Sequence, residues 1–200
     1  MDQKLVIGVV LAGGQSRRFG SPKLFTKWGD ATFFEKALKT IAPYSDALVA
    51  VVRNEEIEKL EQYHSHSVEL ISDVEAFKGK GPLAGIYSAM MEVSGQYYLI
   101  TPCDMPRMSS EMYGKWLDIA LQQPEYDAVI PILNGKVYPL NGVYKRSCLS
   151  EIKENLDNEN LKVLSLLKQK NTKYIEVQKE EAYFFENVNT QEDLLNLGNE

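Results

Sequence analysis

The chain has 200 residues, with 22 Lys and Arg against 28 Asp and Glu, a formal net charge of −6 and 44% hydrophobic residues. That length and balance suit one α/β domain with a large core, and the acidity argues against general nucleic-acid binding. No apolar run approaches the ~18–20 residues of a membrane span, which argues against a membrane protein.

Residues 1–4 carry no basic segment or small-residue cleavage site, so no signal peptide is expected and a cytoplasmic location is. Cys103 and Cys148 show neither CxxC nor metal-ligand spacing, and so point to neither a disulfide framework nor a zinc site.

Residues 5–12 are β-branched and aliphatic without polar alternation, the pattern of a strand buried on both faces of a parallel sheet. The run breaks at Gly13-Gly14, and Ser16, Arg17, Arg18, Gly20 and Lys23 follow. Glycines let backbone N–H groups approach an anion, which Arg and Lys then neutralise. The stretch therefore reads as a phosphate-binding loop; a Gly-rich turn with solvated charges is the plainer alternative. Neither the Walker spacing nor the dinucleotide fingerprint is present.

Residues 24–29 read as a short extended piece with a turn at Gly29-Asp30. Thr32 caps a predicted helix over 33–41, stopped by Pro43. A second buried strand is expected over 47–52, a charged helix over 55–63 and a third strand over 68–72, ending at Asp73. His64 and His66 lack the companions a metal site requires and read as exposed loop residues.

Residues 78–85 form a second glycine loop. Lys78 and Lys80 there, with Arg17, Arg18, Lys23 and Lys27, suggest a locally basic mouth suited to a small polyanion. Pro82 opens a helix, and Leu83, Ile86, Tyr87, Met90 and Met91 read as its core stripe. Gly85 in the first helical turns costs helix stability, so something must approach the backbone there.

A fourth strand over 97–101 runs into Pro102-Cys103-Asp104-Met105-Pro106. A carboxylate just past the carboxyl end of a parallel strand stands where open α/β sheets bind ligands; a turn-capping Asp is the alternative. A helix over 109–122, a strand over 126–133, a turn at Asn134-Gly135 and a returning strand over 136–144 follow, with Pro139 at an edge or bulge. Helices over 146–155 and 161–168, a strand over 174–177 and a last helix from Thr190, with Thr190 and Asp193 at capping-box spacing, complete the chain. The β–α alternation favours a mostly parallel sheet with helices on both faces, to which the hairpin and the late strand add an antiparallel element.

Leu11, Ala12, Gly13, Gly14, Ser16, Arg18, Gly20 and Lys23 fill every fixed position of a loop that resembles the signature of NTP-dependent nucleotidyltransferases. Three further stretches follow in order: Asp73 with Gly81-Pro82-Leu83-Ala84-Gly85-Ile86, then Pro102–Pro106, then Asn187-Val188-Asn189-Thr190-Gln191-Glu192-Asp193-Leu194. Together they most resemble the molybdenum cofactor guanylyltransferases. The resemblance implies a single Rossmann-like, three-layer nucleotidyltransferase (glycosyltransferase-A-like) domain over 1–200. It implies transfer of GMP from GTP to molybdopterin with release of pyrophosphate and Mg2+ as cofactor, and molybdoenzymes or their chaperones as further partners.

In that reading Leu11, Ala12, Gly13, Gly14, Ser16, Lys23, Asp73, Gly81 and Asp104 bind nucleotide. Arg18, Lys23 and Asp104 are catalytic, Asp104 holds the metal, and Asn187 and Asn189 face the acceptor. For Asp73, guanine edge donors and a ribose hydroxyl both remain open as partners; for the two asparagines, a turn role remains open. An acceptor phosphate is already ionised at neutral pH, so no general base is required; positive charge, a divalent cation and positioning are. Relatives that use CTP usually read Leu-Ala-Ala-Gly, so Gly13 favours GTP. One departure is the family's Asn at the end of the second strand, for which Asn54 stands about two residues late. A cytidylyltransferase, another phosphate-acceptor enzyme and a GTP-binding adaptor are the competing readings.

Overall fold

A computed structural model describes residues 5–14, 19–61 and 68–198. Its main sheet has the strand order β5-β4-β1-β6-β9-β7-β10. These strands are β1 (Val6–Leu11), β4 (Ala47–Val51), β5 (Val68–Ile71), β6 (Tyr97–Pro102), β7 (Ala128–Leu133), β9 (Gly142–Lys145) and β10 (Thr172–Glu176). The short β8 (Lys136–Val137) pairs with β7, and β2 (Lys27–Trp28) with β3 (Ala31–Thr32) makes a separate hairpin.

β1 is parallel to β4 and β6, and β4 is parallel to β5. β9 runs antiparallel between β6 and β7. Alternating side chains of β1 feed two cores. Val6 and Val10 pack with α1 (Phe33–Ile41) and α4 (Ser110–Gln122); Ile7 and Val9 pack with α3 (Pro82–Glu92), α5 (Leu149–Asp157) and α6 (Val163–Gln169). The result is a three-layer sandwich, in which each fully buried aliphatic or Phe side chain contributes about 1.5–3 kcal/mol.

The local rules hold in detail at several elements. Glu35 N–H donates to Thr32 Oγ1 (3.2 Å) and Thr32 N–H to Glu35 Oε2 (2.7 Å), the reciprocal cap expected at the start of α1. Asn134 and Gly135 take φ of 51° and 75°, the two-residue turn that matches strand twist, and Ile132 opposes Val137 across it.

Four expectations need correction. The returning strand over 136–144 is split into β8 and β9, because the chain leaves β7 at Pro139 to enter the sheet beside β6. The late strand β10 is parallel to β7, so the antiparallel character comes from β8 and β9. Residues 23–25 form a 3-10 turn rather than an extended start. Met91 is 51% exposed and does not belong to the core stripe of α3. The helix expected over 55–63 is α2 (Asn54–Leu60); His64 and His66 lie outside the described residues.

Candidate active site

The sheet order β5-β4-β1-β6 makes β1 the point where successive connections turn to opposite sides of the sheet, which is where open α/β sheets place ligands. A cleft of about 560 Å³ opens at the carboxyl ends of those four strands. Leu11 to Gly14 line it from β1, Val51 from β4, Asp73 from beyond β5, and Pro102 to Asp104 from β6. Lys23, Gly81, Leu140 and Asn189 add to its walls.

Lys23 bridges three acceptors at the cleft wall. Its ammonium donates to Asp104 Oδ2, to the Val188 carbonyl and to Asn189 Oδ1, each at 3.0 Å. The two charged side chains are 12% and 27% exposed, so the pair is shielded far more than a surface ion pair. Val188 is tied at both ends, since its N–H donates to the Asp104 carbonyl (2.9 Å). Next to Asp104, burial and the neighbouring carboxylate push the Cys103 thiol up to about 12, which leaves it protonated and without nucleophilic character.

Asp73 follows β5 and accepts the Gly79 N–H on Oδ2 at 3.0 Å. Burial raises its carboxyl above the ordinary value, offset by that N–H and by Lys78. Gly79 and Gly81 take φ of 74° and 82°, conformations that L side chains resist, and Gly81 then caps α3 with Pro82 in its first turn. Gly85 answers to the fold as well as to any ligand: a Cβ there would stand 3.0 Å from Leu11 Cδ2 and 3.8 Å from Asp73 Oδ1.

Leu11, Ala12, Gly13, Gly14, Lys23, Asp73, Gly81, Asp104 and Asn189 are therefore brought to one cleft. Asn187 is exposed and, like Asn54 at the start of α2, is not part of the cleft wall. Ser16, Arg17 and Arg18 lie outside the described residues. The basic mouth is narrower than expected: Lys78 pairs with Glu75 at 3.4 Å, Lys80 pairs with Glu159, Lys27 is exposed on β2, and none of the three lines the cleft.

The Val188 carbonyl and the apolar walls Val51 and Leu140 were not singled out by sequence; a backbone acceptor has no residue-type signature. Among the described residues no group of three or more His, Cys, Asp or Glu could hold a metal ion. No helix among them is long and apolar enough to cross a membrane.

Residues 8–173 match the family model for the MobA-like NTP transferase domain. A "Probable molybdenum cofactor guanylyltransferase" of Bacillus cereus (strain ATCC 10987 / NRS 248) is 40% identical over 190 residues, covering 93% of this chain and 92% of that protein. The crystal structure of molybdopterin-guanine dinucleotide biosynthesis protein A from Archaeoglobus fulgidus superposes with a TM-score of 0.76 at 24% identity, over 96% of both chains. A 4-diphosphocytidyl-2C-methyl-D-erythritol synthase from Anaerococcus prevotii shares the fold at a TM-score of 0.73 and 14% identity, over 97% of this chain and 94% of that one. With a family model matched over most of its length and a near-complete relative at 40% identity, the chain belongs to the MobA-like NTP transferase family.

Proposed function

We propose that this chain, acting as one nucleotidyltransferase domain over residues 1–200, transfers GMP from GTP to the phosphate of molybdopterin and releases pyrophosphate. The observation that carries the reading is the meeting of Lys23 and Asp104 in the cleft that Gly13 and Gly14 also line, at the carboxyl ends of β1 and β6. The relatives' names supply the acceptor and the base.

In this reaction an acceptor phosphate oxygen attacks the α-phosphorus of GTP. The bond from that phosphorus to the bridging oxygen of the β-phosphate breaks, and pyrophosphate leaves with the electron pair. No proton has to move, which agrees with a site holding a lysine, a carboxylate and backbone amides but a protonated thiol. Lys23 meets the charge of the triphosphate, and the Gly13 and Gly14 backbone approaches it closely because no side chain stands there. Arg18 adds charge from the same loop in this reading, Ser16 a further donor and Asp73 a contact to the nucleoside.

Asp104 is the residue that would hold Mg2+. A single, partly exposed carboxylate suits that ion, which is commonly bound by one or two carboxylates with water and substrate phosphates. When bound, Mg2+ supplies neutralisation of phosphate charge. Asn189 and, from outside the cleft wall, Asn187 belong to the acceptor side. Molybdoenzymes or their chaperones receive the product, and a cytoplasmic setting agrees with two free thiols, Cys103 and Cys148.

The test uses GTP labelled at the α- or the γ-phosphate with molybdopterin and Mg2+. Label from the α-position should appear in the pterin product and label from the γ-position in pyrophosphate. Label that ends in inorganic phosphate instead would make the protein a GTPase and defeat the proposal.

A further inference from the structure

The residues from 188 onward reach the active-site pair from the far end of the chain. Val188 N–H donates to the Asp104 carbonyl, and the Val188 carbonyl and Asn189 Oδ1 accept from Lys23. The backbone that follows Val188 is gathered on a single oxygen. Asp193 Oδ2 accepts the N–H of Asn189 (2.7 Å) and the N–H of Thr190 (2.8 Å), while Asp193 N–H donates back to Thr190 Oγ1 (3.1 Å).

The turn is also anchored from below. Val188 and Leu197 of α7 (Gln191–Leu197) are buried with Phe19 and Phe33, and the Gln191 side chain donates to the carbonyl of Phe19 (3.2 Å), a residue of the signature loop. These donors, Asn189 N–H first, hold the Asp193 carboxylate below its usual range.

We infer that Asp193 is a positioning residue for nucleotidyl transfer: it clamps the turn over 188–190 so that Val188 and Asn189 aim the Lys23 ammonium beside Asp104. A lysine needs such aiming, because its charge rides on a flexible four-carbon stem that otherwise samples many rotamers. Ground-state acceptors that fix the ammonium at the cleft wall spare the reaction that search. The inference rests on the reading of Lys23 as a catalytic group.

A residue that merely capped α7 would behave differently on substitution. Glutamate at this position of a capping box is as good a cap as aspartate, but its longer side chain cannot leave the turn where Asp193 leaves it. Asparagine presents one carbonyl oxygen, which is all the two N–H groups use.

The experiment measures kcat and KM for GTP on the full chain, well below each variant's melting temperature. It is paired with the 15N signal of the Lys23 ammonium, identified by its loss in Lys23→Ala. Asp193→Ala and Asp193→Glu should each lower kcat by about fivefold or more with KM moved less, Asp193→Glu at an unchanged melting temperature, and Asp193→Asn should restore kcat to within about threefold. The Lys23 signal should shift toward free lysine in the first two variants and return in the third. Wild-type kcat and an unmoved Lys23 signal in Asp193→Glu would overturn the inference even if Asp193→Ala failed to fold. Full activity of Lys23→Ala would instead remove the catalytic role of Lys23, and the signal in Asp193→Glu would still report whether Asp193 orders that side chain.

Discussion

Lys23 and Asp104 are 81 residues apart in sequence, and the Lys23 ammonium stands 3.0 Å from Asp104 Oδ2. The loop after β1 supplies one and the turn after β6 the other, so the parallel pairing of these strands, Leu11 opposite Pro102, builds the pair. Removing either partner takes a preorganised charge out of the cleft. Lys23→Ala and Asp104→Ala should each lower kcat by about 10²–10³-fold. Pyrophosphate release by the folded variants checks this, and full activity in either would remove that residue from the chemistry.

Gly13 bears on the base. A Cβ at this position would meet the Val51 carbonyl at 3.9 Å, an ordinary contact, so Gly13→Ala should fold as the parent does. The methyl group takes room at the cleft wall, and the ratio of kcat/KM for GTP to that for CTP should fall by about tenfold, the scale on which one methyl discriminates. Competition between the two nucleotides measures it; an unchanged ratio would place purine selection elsewhere.

Asp73 carries a pH signature. Burial, the leading cause, raises its carboxyl in the folded state, so folding favours the protonated form. The contribution is fully present below the unfolded carboxyl's ordinary pKa of about 3.9 and is lost as pH rises through the raised folded value. The melting temperature of the parent relative to Asp73→Asn should therefore be highest in acid and decline toward neutrality. A difference that grows with pH would contradict the burial of this group as the dominant cause.

Gly142 tests the sheet. It takes φ of 154°, and a Cβ there would lie 2.5 Å from the Val129 carbonyl of the neighbouring strand, where backbone cannot yield cheaply. Gly142→Ala should destabilise the fold by about 1–3 kcal/mol. Denaturant unfolding reads this directly, and a loss of a few tenths would mean that β9 shifts freely against β7.

Local chemistry made much of this legible. Thr32 and Glu35, Asn134 and Gly135, and Thr190 and Asp193 each marked a boundary that the structure keeps, because each acts within four residues of chain. The cleft residues from Leu11 to Gly14, with Lys23, Asp73 and Asp104, were legible because glycines and charges ended apolar runs. What escaped was long-range. The residues over 136–144 read as one strand, yet the break at Pro139 is set by where β9 must enter between β6 and β7. Lys78 and Lys80 read as ligand-facing, but Glu75 and Glu159 claim them, the latter from far along the chain. Asp193 showed its cap and hid its second consequence, because the link to Lys23 runs through the backbone of Asn189 and the carbonyl of Val188.

GMP transfer from GTP to molybdopterin is open to a direct assay. Pyrophosphate release with Mg2+, molybdopterin or its molybdenum form, and each of the four NTPs in turn tests it most directly. Release with GTP and not with ATP, CTP or UTP is the predicted result. Release with CTP would keep the fold and the chemistry and overturn the choice of base, and no release with any nucleotide, by protein that binds GTP, would contradict the proposed transfer.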